Sequence, residues 1–300
     1  MKVESIAAID IGSNAIRLLI NNVEEYEAQK AIKKNAYIRV PVRMGGDVFS
    51  VGRIGREKQR LLTETMQAFI HLMHVFNVRR YKACATSAMR EAANGPEIAE
   101  TIEKATGIKI DIISGSEEAD LIYSAGAFEI MNERDNYLHI DVGGGSTEVV
   151  VYCNCKKEMS ASFPLGTLRI LAGAVDPRTE ADLKEKLGMI RKKYSPLKII
   201  ASGGNINKTL KLLGKKDGDT VSYSTLKKFH KDLCVLTIEE RLVRYKMNSY
   251  RADVIVPALH IFLTVAHLAG AKDYIIPKVG LVDGIIRQLH SGEIKPRRTP

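Results

Sequence analysis

Two kinds of apolar patterning alternate along this chain. Short apolar runs end on polar or glycine-rich turns, and longer stretches repeat apolar residues every three or four positions. The first pattern predicts strands and the second predicts amphipathic helices. Residues 4–11, ESIAAIDI, form an apolar run with Asp10 near its end. Gly12-Ser13-Asn14 supplies turn chemistry, and Ala15 to Ile20 reads as a second strand. Residues 35–43 predict a further strand, and the three glycines between Met44 and Arg53 predict a loop. From Arg56 to Val75 the apolar residues Leu61, Leu62, Met66, Phe69, Ile70 and Met73 fall on one helical face. Residues 79–86 predict a short strand. Pro96 to Thr106 predicts a helix closed by Gly107, and Ile108 to Ile113 another strand. A helix then starts at Ser114 or Ser116, with Glu117 and Glu118 in its first turn.

The central stretch repeats the plan of the N-terminus. Tyr137 to Ile140 is apolar, Asp141 closes the run, and Gly143-Gly144-Gly145-Ser146-Thr147-Glu148 leads into Val149-Val150-Val151. AAIDIGSNAIRLLI aligns with LHIDVGGGSTEVVV, which pairs Asp10 with Asp141 and predicts two related halves. Beyond it come a strand from Glu158 to Phe163, a turn at Pro164-Leu165-Gly166, and a helix capped by Thr179 that runs to about Lys193. Leu197 to Ala201 predicts a strand that feeds Ser202-Gly203-Gly204-Asn205 and a helix through Leu213. Residues 224–245 predict two helices, Ala252 to Leu268 a buried one, and Tyr274 to Ile276 a last short strand. The last helix ends over Gly284 to Leu289, and the KPRRTP tail is expected to be disordered. Alternating strands and helices predict an α/β architecture.

Composition narrows the class. The 300 residues are 45% hydrophobic, enough for a substantial core and for two domains. No apolar run reaches the roughly 18 residues of a bilayer span. The N-terminus carries an aspartate inside its apolar stretch and reads as a strand, not a signal peptide. A soluble cytoplasmic protein with no membrane partner is the default expectation. The four cysteines show no zinc spacing, and reduced thiols are expected. The formal net charge is +10, which favours polyanionic partners. Trp is absent, and neither C₂H₂ spacing nor an aromatic RNA-binding run occurs, so no dedicated nucleic-acid module is expected. The polyanion class that remains includes phosphate-rich small molecules.

Glycine turns next to carboxylates suit that class. Glycines let successive backbone N–H groups converge on an anion. The phosphate-binding candidates are Gly12, Ser13 and Asn14 in the first turn, and Gly143, Gly144, Gly145, Ser146 and Thr147 in the second. Ser202, Gly203 and Gly204 add a third, because a helix N-terminus attracts anions. Asp141, Glu148 and Asp10 are candidate ligands for Mg²⁺ or another divalent cation, which prefers oxygen donors. A plain hairpin turn and a plain strand-to-helix turn are the competing readings of these stretches.

Eight segments carry a family resemblance: AAIDIGSNAIRLLI, ATSAMREAAN, ISGSEEADLIYSAG, HIDVGGGSTEVV, FPLGTLRI, ASGGNINKTL, RADVIVPAL and VGLVDGII. In this order and combination the chain resembles the exopolyphosphatase and guanosine pentaphosphate phosphohydrolase family of the actin, sugar-kinase and Hsp70 superfamily. Asn205, Ala258 and Val282 depart from the family's usual threonine, glycine and arginine, which bears on substrate preference. The resemblance implies two actin-like, ribonuclease H-like α/β domains with a cleft between them. They are expected at residues 1–122 and 123–300, with the last helix a candidate to pack back onto the first. It implies Mg²⁺-dependent release of terminal orthophosphate from inorganic polyphosphate, with guanosine pentaphosphate as the alternative substrate. Glu118 matches the family's general base, and Arg90 is a fixed cation suited to bidentate phosphate contacts. Physics alone does not separate Glu117 from Glu118. Dimers are common in the family. The other functional readings are an ATP-using enzyme of the superfamily and a polyphosphate- or nucleotide-binding regulator.

Overall fold

The computed structural model describes residues 2–26 and 29–300. The chain forms two compact units: Met1–Gly126 with Gly280–Pro300, and Ala127–Val279.

The first unit opens with an antiparallel meander of β1 (Lys2–Ile11), β2 (Ile16–Tyr26) and β3 (Gln29–Val40). Helices α1 (Met44–Val51) and α2 (Arg56–Val75) lead to β4 (Val78–Ala85), which runs parallel to β1. Helices α3 (Ser87–Glu91) and α4 (Gly95–Thr106) lead to β5 (Ile110–Ile112), parallel to β4, and then to α5 (Gly115–Ser124). The second unit repeats this order. A meander of β6 (Asn136–Val142), β7 (Thr147–Cys153) and β8 (Lys156–Phe163) is followed by α6 (Thr167–Leu171), α7 (Pro177–Tyr194) and β9 (Leu197–Ser202), parallel to β6. Then come α8 (Gly204–Leu212), β10 (Thr220–Ser222), α9 (Tyr223–Cys234), α10 (Ile238–Tyr245), α11 (Ser249–Ala252) and α12 (Ile255–Ala269). Strand β11 (Asp273–Ile275) runs parallel to β9. The chain then returns to the first unit with α13 (Leu281–Ser291) and β12 (Arg297–Arg298). Each sheet has six strands, and five of them follow one order in both: β5-β4-β1-β2-β3 and β11-β9-β6-β7-β8, with β12 added beside β4 and β10 beside β11. The internal duplication read from the two aspartate–glycine hairpins therefore extends to the sheet topology.

The pleat sorts each sheet into two faces. In the second unit Leu138, Ile140, Val142, Val149, Val151, Ile199 and Ala201 join one core cluster with residues of α7, α8, α9 and α12. The opposite face of the same strands carries Tyr137, His139, Asp141, Glu148, Val150, Tyr152, Ile200 and Ser202. In the first unit Ile6, Ala8, Leu19 and Cys84 pack with Leu121 and Ile122 of α5 and with Leu281, Val282, Ile285, Ile286 and Leu289 of α13. Asp10 continues the alternation of Ile6 and Ala8, so it ends the strand on the face that holds α5 and α13.

Three local expectations are revised. Met44–Val51 is helical, not a loop. Met44, Val48 and Phe49 are buried on one side, and the Gly45 N–H is taken by the Ser13 carbonyl at 2.9 Å. The third glycine of the stretch, Gly52, ends that helix in the left-handed region. Helix α7 starts at Asp176, whose Oδ1 accepts the Arg178 N–H at 2.9 Å, with Pro177 at the first helical position; Thr179 lies inside the helix. The KPRRTP tail is ordered. Arg297 and Arg298 pair with Tyr81 and Arg80 on the half of the β4 edge that β5 leaves open, and Arg297 donates to Asp111 at 2.6 Å. The buried helix expected over Ala252 to Leu268 is present: Ser249–Ala269 is long and apolar enough by composition to span a bilayer, and its main helix, α12, lines the second unit's core.

Helices α5 and α13 approach so closely that a Cβ on Gly284 would lie 1.7 Å from the Leu121 carbonyl oxygen. Gly284→Ala is expected to destabilise the first unit by about 1–3 kcal/mol or more, because neither helix backbone yields cheaply. A lowered midpoint in urea unfolding checks this, and an unchanged midpoint would contradict the close packing.

Candidate active-site residues

In the first unit the β1–β2 turn is held from three sides. Gly12 donates to the Ala15 carbonyl at 3.1 Å, the Arg43 N–H bonds the Asn14 carbonyl at 3.1 Å, and the Ser13 hydroxyl accepts the Ala88 N–H of α3 at 3.2 Å. Ser13 is buried and its hydroxyl is a structural clamp in this arrangement. The Asn14 side-chain oxygen is buried and has no hydrogen-bond partner in the structure. Asp10 stands opposite Arg17 in the hairpin register and forms an ion pair with it. A cation at Asp10 would have to compete with that guanidinium.

Helix α3 carries Arg90, which donates to the Ile113 carbonyl at 2.6 Å and stands 3.9 Å from a carboxylate oxygen of Glu118. The two adjacent glutamates of α5 have different surroundings. Ser114 is the N-cap. Its hydroxyl accepts the Glu117 N–H, and the Glu117 carboxylate accepts from the Ser114 N–H and hydroxyl at 2.8 Å each. That is a capping box, and it accounts for Glu117 completely. The Ser114 N–H, and next its hydroxyl, hold the Glu117 carboxyl below the usual range. Glu118 takes no part in that box and is only 9% exposed. Burial and the nearby guanidinium thus single out Glu118 as the carboxylate with a non-capping role.

In the second unit the β6–β7 turn is pinned by the start of α6. The Thr167 N–H bonds the Gly143 carbonyl at 3.1 Å, the Leu168 N–H bonds the Gly144 carbonyl at 2.8 Å, and the Arg169 guanidinium bonds the Gly145 carbonyl at 2.9 Å. A trans peptide directs its N–H opposite to its C=O. With three successive carbonyls held toward α6, the N–H groups of Gly144, Gly145 and Ser146 turn to the other side as a row of donors. Such a row is an anion-binding concavity. The Thr147 hydroxyl donates to the Leu165 carbonyl at 2.5 Å and is fully buried, so it braces the turn. Gly166 admits this packing, since a Cβ there would meet the Gly144 backbone at 2.5 Å.

Asp141 and Glu148 are direct partners across the hairpin, so both carboxylates emerge on one sheet face. Glu148 is buried and accepts from the Ser162 hydroxyl at 3.0 Å. Among the described residues no group of three or more His, Cys, Asp or Glu side chains forms a complete metal cage. Mg²⁺ does not need one. It is held by one or two carboxylates together with waters and phosphate oxygens. Two acids facing each other, one of them buried, fit that mode and would repel each other less with a cation present.

At the end of β9, the fully buried Ser202 hydroxyl donates to Asp141 Oδ1 at 2.5 Å and lies 2.9 Å from His139 Nε2. Its side chain therefore serves Asp141, and anion contact in this turn is left to backbone. Gly203 adopts φ 114° and caps α8, a conformation that glycine alone takes readily. Arg251 reaches the start of the same helix and donates to Asn205 Oδ1 at 2.9 Å. His139 is buried, and that burial pulls its imidazole down to about 4, so it is neutral near pH 7. Sequence reasoning passed over Arg17, His139, Ser162, Arg169 and Arg251. The hairpin register would have supplied Arg17 and Ser162 as strand partners of Asp10 and Glu148.

The Ppx/GppA phosphatase family matches residues 23–291. The chain belongs to that family. It is 28% identical to exopolyphosphatase 2 of Mycobacterium tuberculosis over 205 residues, 65% of this chain, and the match spans 63% of that relative's length. The Aquifex aeolicus family member superposes with a TM-score of 0.77 at 25% identity, covering 98% of this chain and 100% of the other. An exopolyphosphatase from Cytophaga hutchinsonii superposes with a TM-score of 0.84 at 22% identity, covering 96% and 98%. Its identity is low enough that the likeness concerns the fold alone. The two α/β units are thus the actin-like fold of this family, as the eight segments imply.

The capping box makes a pH-dependent prediction. The folded carboxyl of Glu117 is lowered, so its contribution is present above the unfolded value and is lost as pH falls through the folded one. Glu117→Ala should lower stability near neutral pH by about 0.3–1.5 kcal/mol. The gap to wild type should narrow in acid, as followed by denaturant unfolding at both pH values, and phosphate release should persist. A gap that widens in acid would contradict the assignment.

Proposed function

We propose that the chain hydrolyses phosphoanhydride bonds, releasing terminal orthophosphate from inorganic polyphosphate. The observation that carries this is the pairing of Glu118 and Arg90: a carboxylate buried at a helix start although a capping box already occupies its neighbour. Family membership, the exopolyphosphatase name of the M. tuberculosis relative and the net charge of +10 support the same reading.

Phosphoryl transfer asks little covalent chemistry of a protein. Positioning and charge stabilisation supply most of the rate. Glu118 accepts a proton from the attacking water, and Arg90 orients that carboxylate and offers a cation to phosphate oxygens. The N–H row of Gly144, Gly145 and Ser146 donates to phosphate oxygens, as do the Gly12 turn and the start of α8. Asp141 and Glu148 would hold a Mg²⁺ ion, and the chemistry it would supply there is neutralisation of charge on the phosphate chain. Asp10 is assigned a lesser role, because Arg17 already neutralises it.

Phosphate release should be followed with short polyphosphate, long polyphosphate, guanosine pentaphosphate and ATP side by side, with and without Mg²⁺. Release from a polyphosphate, lost with chelator, is expected. Glu118→Gln should reduce turnover by about 10²–10⁴-fold while retaining substrate binding. Near-wild-type turnover by that variant would remove Glu118 from the role. Release from guanosine pentaphosphate alone would reassign the substrate. Binding of polyphosphate without release from any of the four would indicate a regulator.

A further inference from the structure

The polar face of the second sheet holds a hydrogen-bonded line that the proposed chemistry does not use. His139 and Asp141 are two apart on β6 and share a face. Ser202 stands beside Asp141 in the parallel β6–β9 register. His139 is 2% exposed and Ser202 0% exposed, so neither side chain is available to solvent or substrate. The direction of the line follows from donor chemistry. A carboxylate only accepts, so the Ser202 hydroxyl donates its proton to Asp141 Oδ1. The oxygen of Ser202 must then accept from His139, which makes His139 the Nε2–H tautomer. Each group has one role, and the chain of donors runs His139, Ser202, Asp141.

We propose that His139 is a positioning residue for a metal-binding Asp141, acting through the Ser202 hydroxyl. This rests on the metal role assigned to Asp141 above. Among the described residues Ser202 Oγ is the one polar partner of the buried His139 imidazole, and an imidazole so placed is a poor choice for packing alone, because an apolar residue of similar size would fill the space without desolvating two nitrogens. A hydroxyl between two strands has freedom to rotate. His139 removes it by donating into the serine oxygen, which leaves the serine proton one direction, toward Asp141. One oxygen of Asp141 is thereby fixed and the rotation of the carboxylate is set before any cation arrives. Groups that orient a metal ligand in this way typically change metal affinity by about 10–100-fold when removed.

The probe is Mn²⁺ alone, titrated into the full-length, substrate-free protein and followed by electron paramagnetic resonance. Asp141→Asn, Ser202→Ala and His139→Leu are each expected to weaken binding, the last two by about 10-fold. His139→Gln should restore most of the loss, because its amide N–H reaches the place of Nε2–H. The Ser202→Ala/His139→Leu double variant should bind no worse than Ser202→Ala, since the histidine acts only through the serine. Nitrogen-15 NMR of wild type should show His139 as the Nε2–H tautomer, a readout that does not depend on any variant folding. Weakened binding in Asp141→Asn with wild-type binding in His139→Leu would overturn the network alone. Unchanged binding in Asp141→Asn would overturn the metal role and the network with it. A Nδ1–H tautomer, or additive losses in the double variant, would also overturn the proposal.

Discussion

A carboxylate at the end of a buried strand has to be compensated where it stands, and both halves of this fold are built around that requirement. Asp10 and Asp141 sit at equivalent places, each closing a central strand before a glycine turn. Leaving such a charge desolvated and unaided costs several kcal/mol. The first unit answers with a cation from the neighbouring strand, Arg17. The second has glutamate at the corresponding place across the hairpin, and a serine hydroxyl beside it. The same backbone thus carries a neutralised aspartate in one copy and an acidic pair in the other. A divalent cation is the natural complement of the second arrangement and not of the first.

The glycine turns diverge in a matching way. In the first unit the Ser13 hydroxyl and the Ser13 and Asn14 carbonyls are taken by α3, Gly45 and Arg43, so the loop is tied through both side chain and backbone. In the second the start of α6 takes three carbonyls in succession, and peptide planarity turns the donors outward. Thr147 and Arg169 are buried braces for that geometry. The FPLGTLRI segment matters because it fixes which way the turn's dipoles face.

Much of this is legible in the sequence, and the misses at Met44–Val51 and the tail share a cause. Helix α2, helix α4 with its stop at Gly107, and both aspartate hairpins follow from local periodicity and turn chemistry, which need only neighbouring residues. Met44–Val51 did not, because its glycines suggest a loop until Ser13 is seen accepting from Gly45. The ordered tail depends on an open β4 edge more than 200 residues away in sequence. The α7 cap differs for another reason: Asp176-Pro177 is a local start signal stronger than Thr179.

The candidate site shows the same division more sharply. Residue types at the turns pointed to phosphate and metal, but not to which oxygen each hydroxyl would serve. Ser202 reads as a phosphate ligand in sequence because it precedes two glycines; its burial against Asp141 gives it a different partner. Glu117 and Glu118 are indistinguishable as a dipeptide, and helix geometry separates them by about 100° around the axis. Only one can close a capping box with Ser114, and the other is turned toward Arg90. His139 is the clearest case. In an apolar strand it passes for one more buried position, yet a titratable side chain two residues before an aspartate shares that aspartate's face. The spacing was present in the sequence, and its meaning required the third residue, 63 positions on, that lies within hydrogen-bonding distance of both.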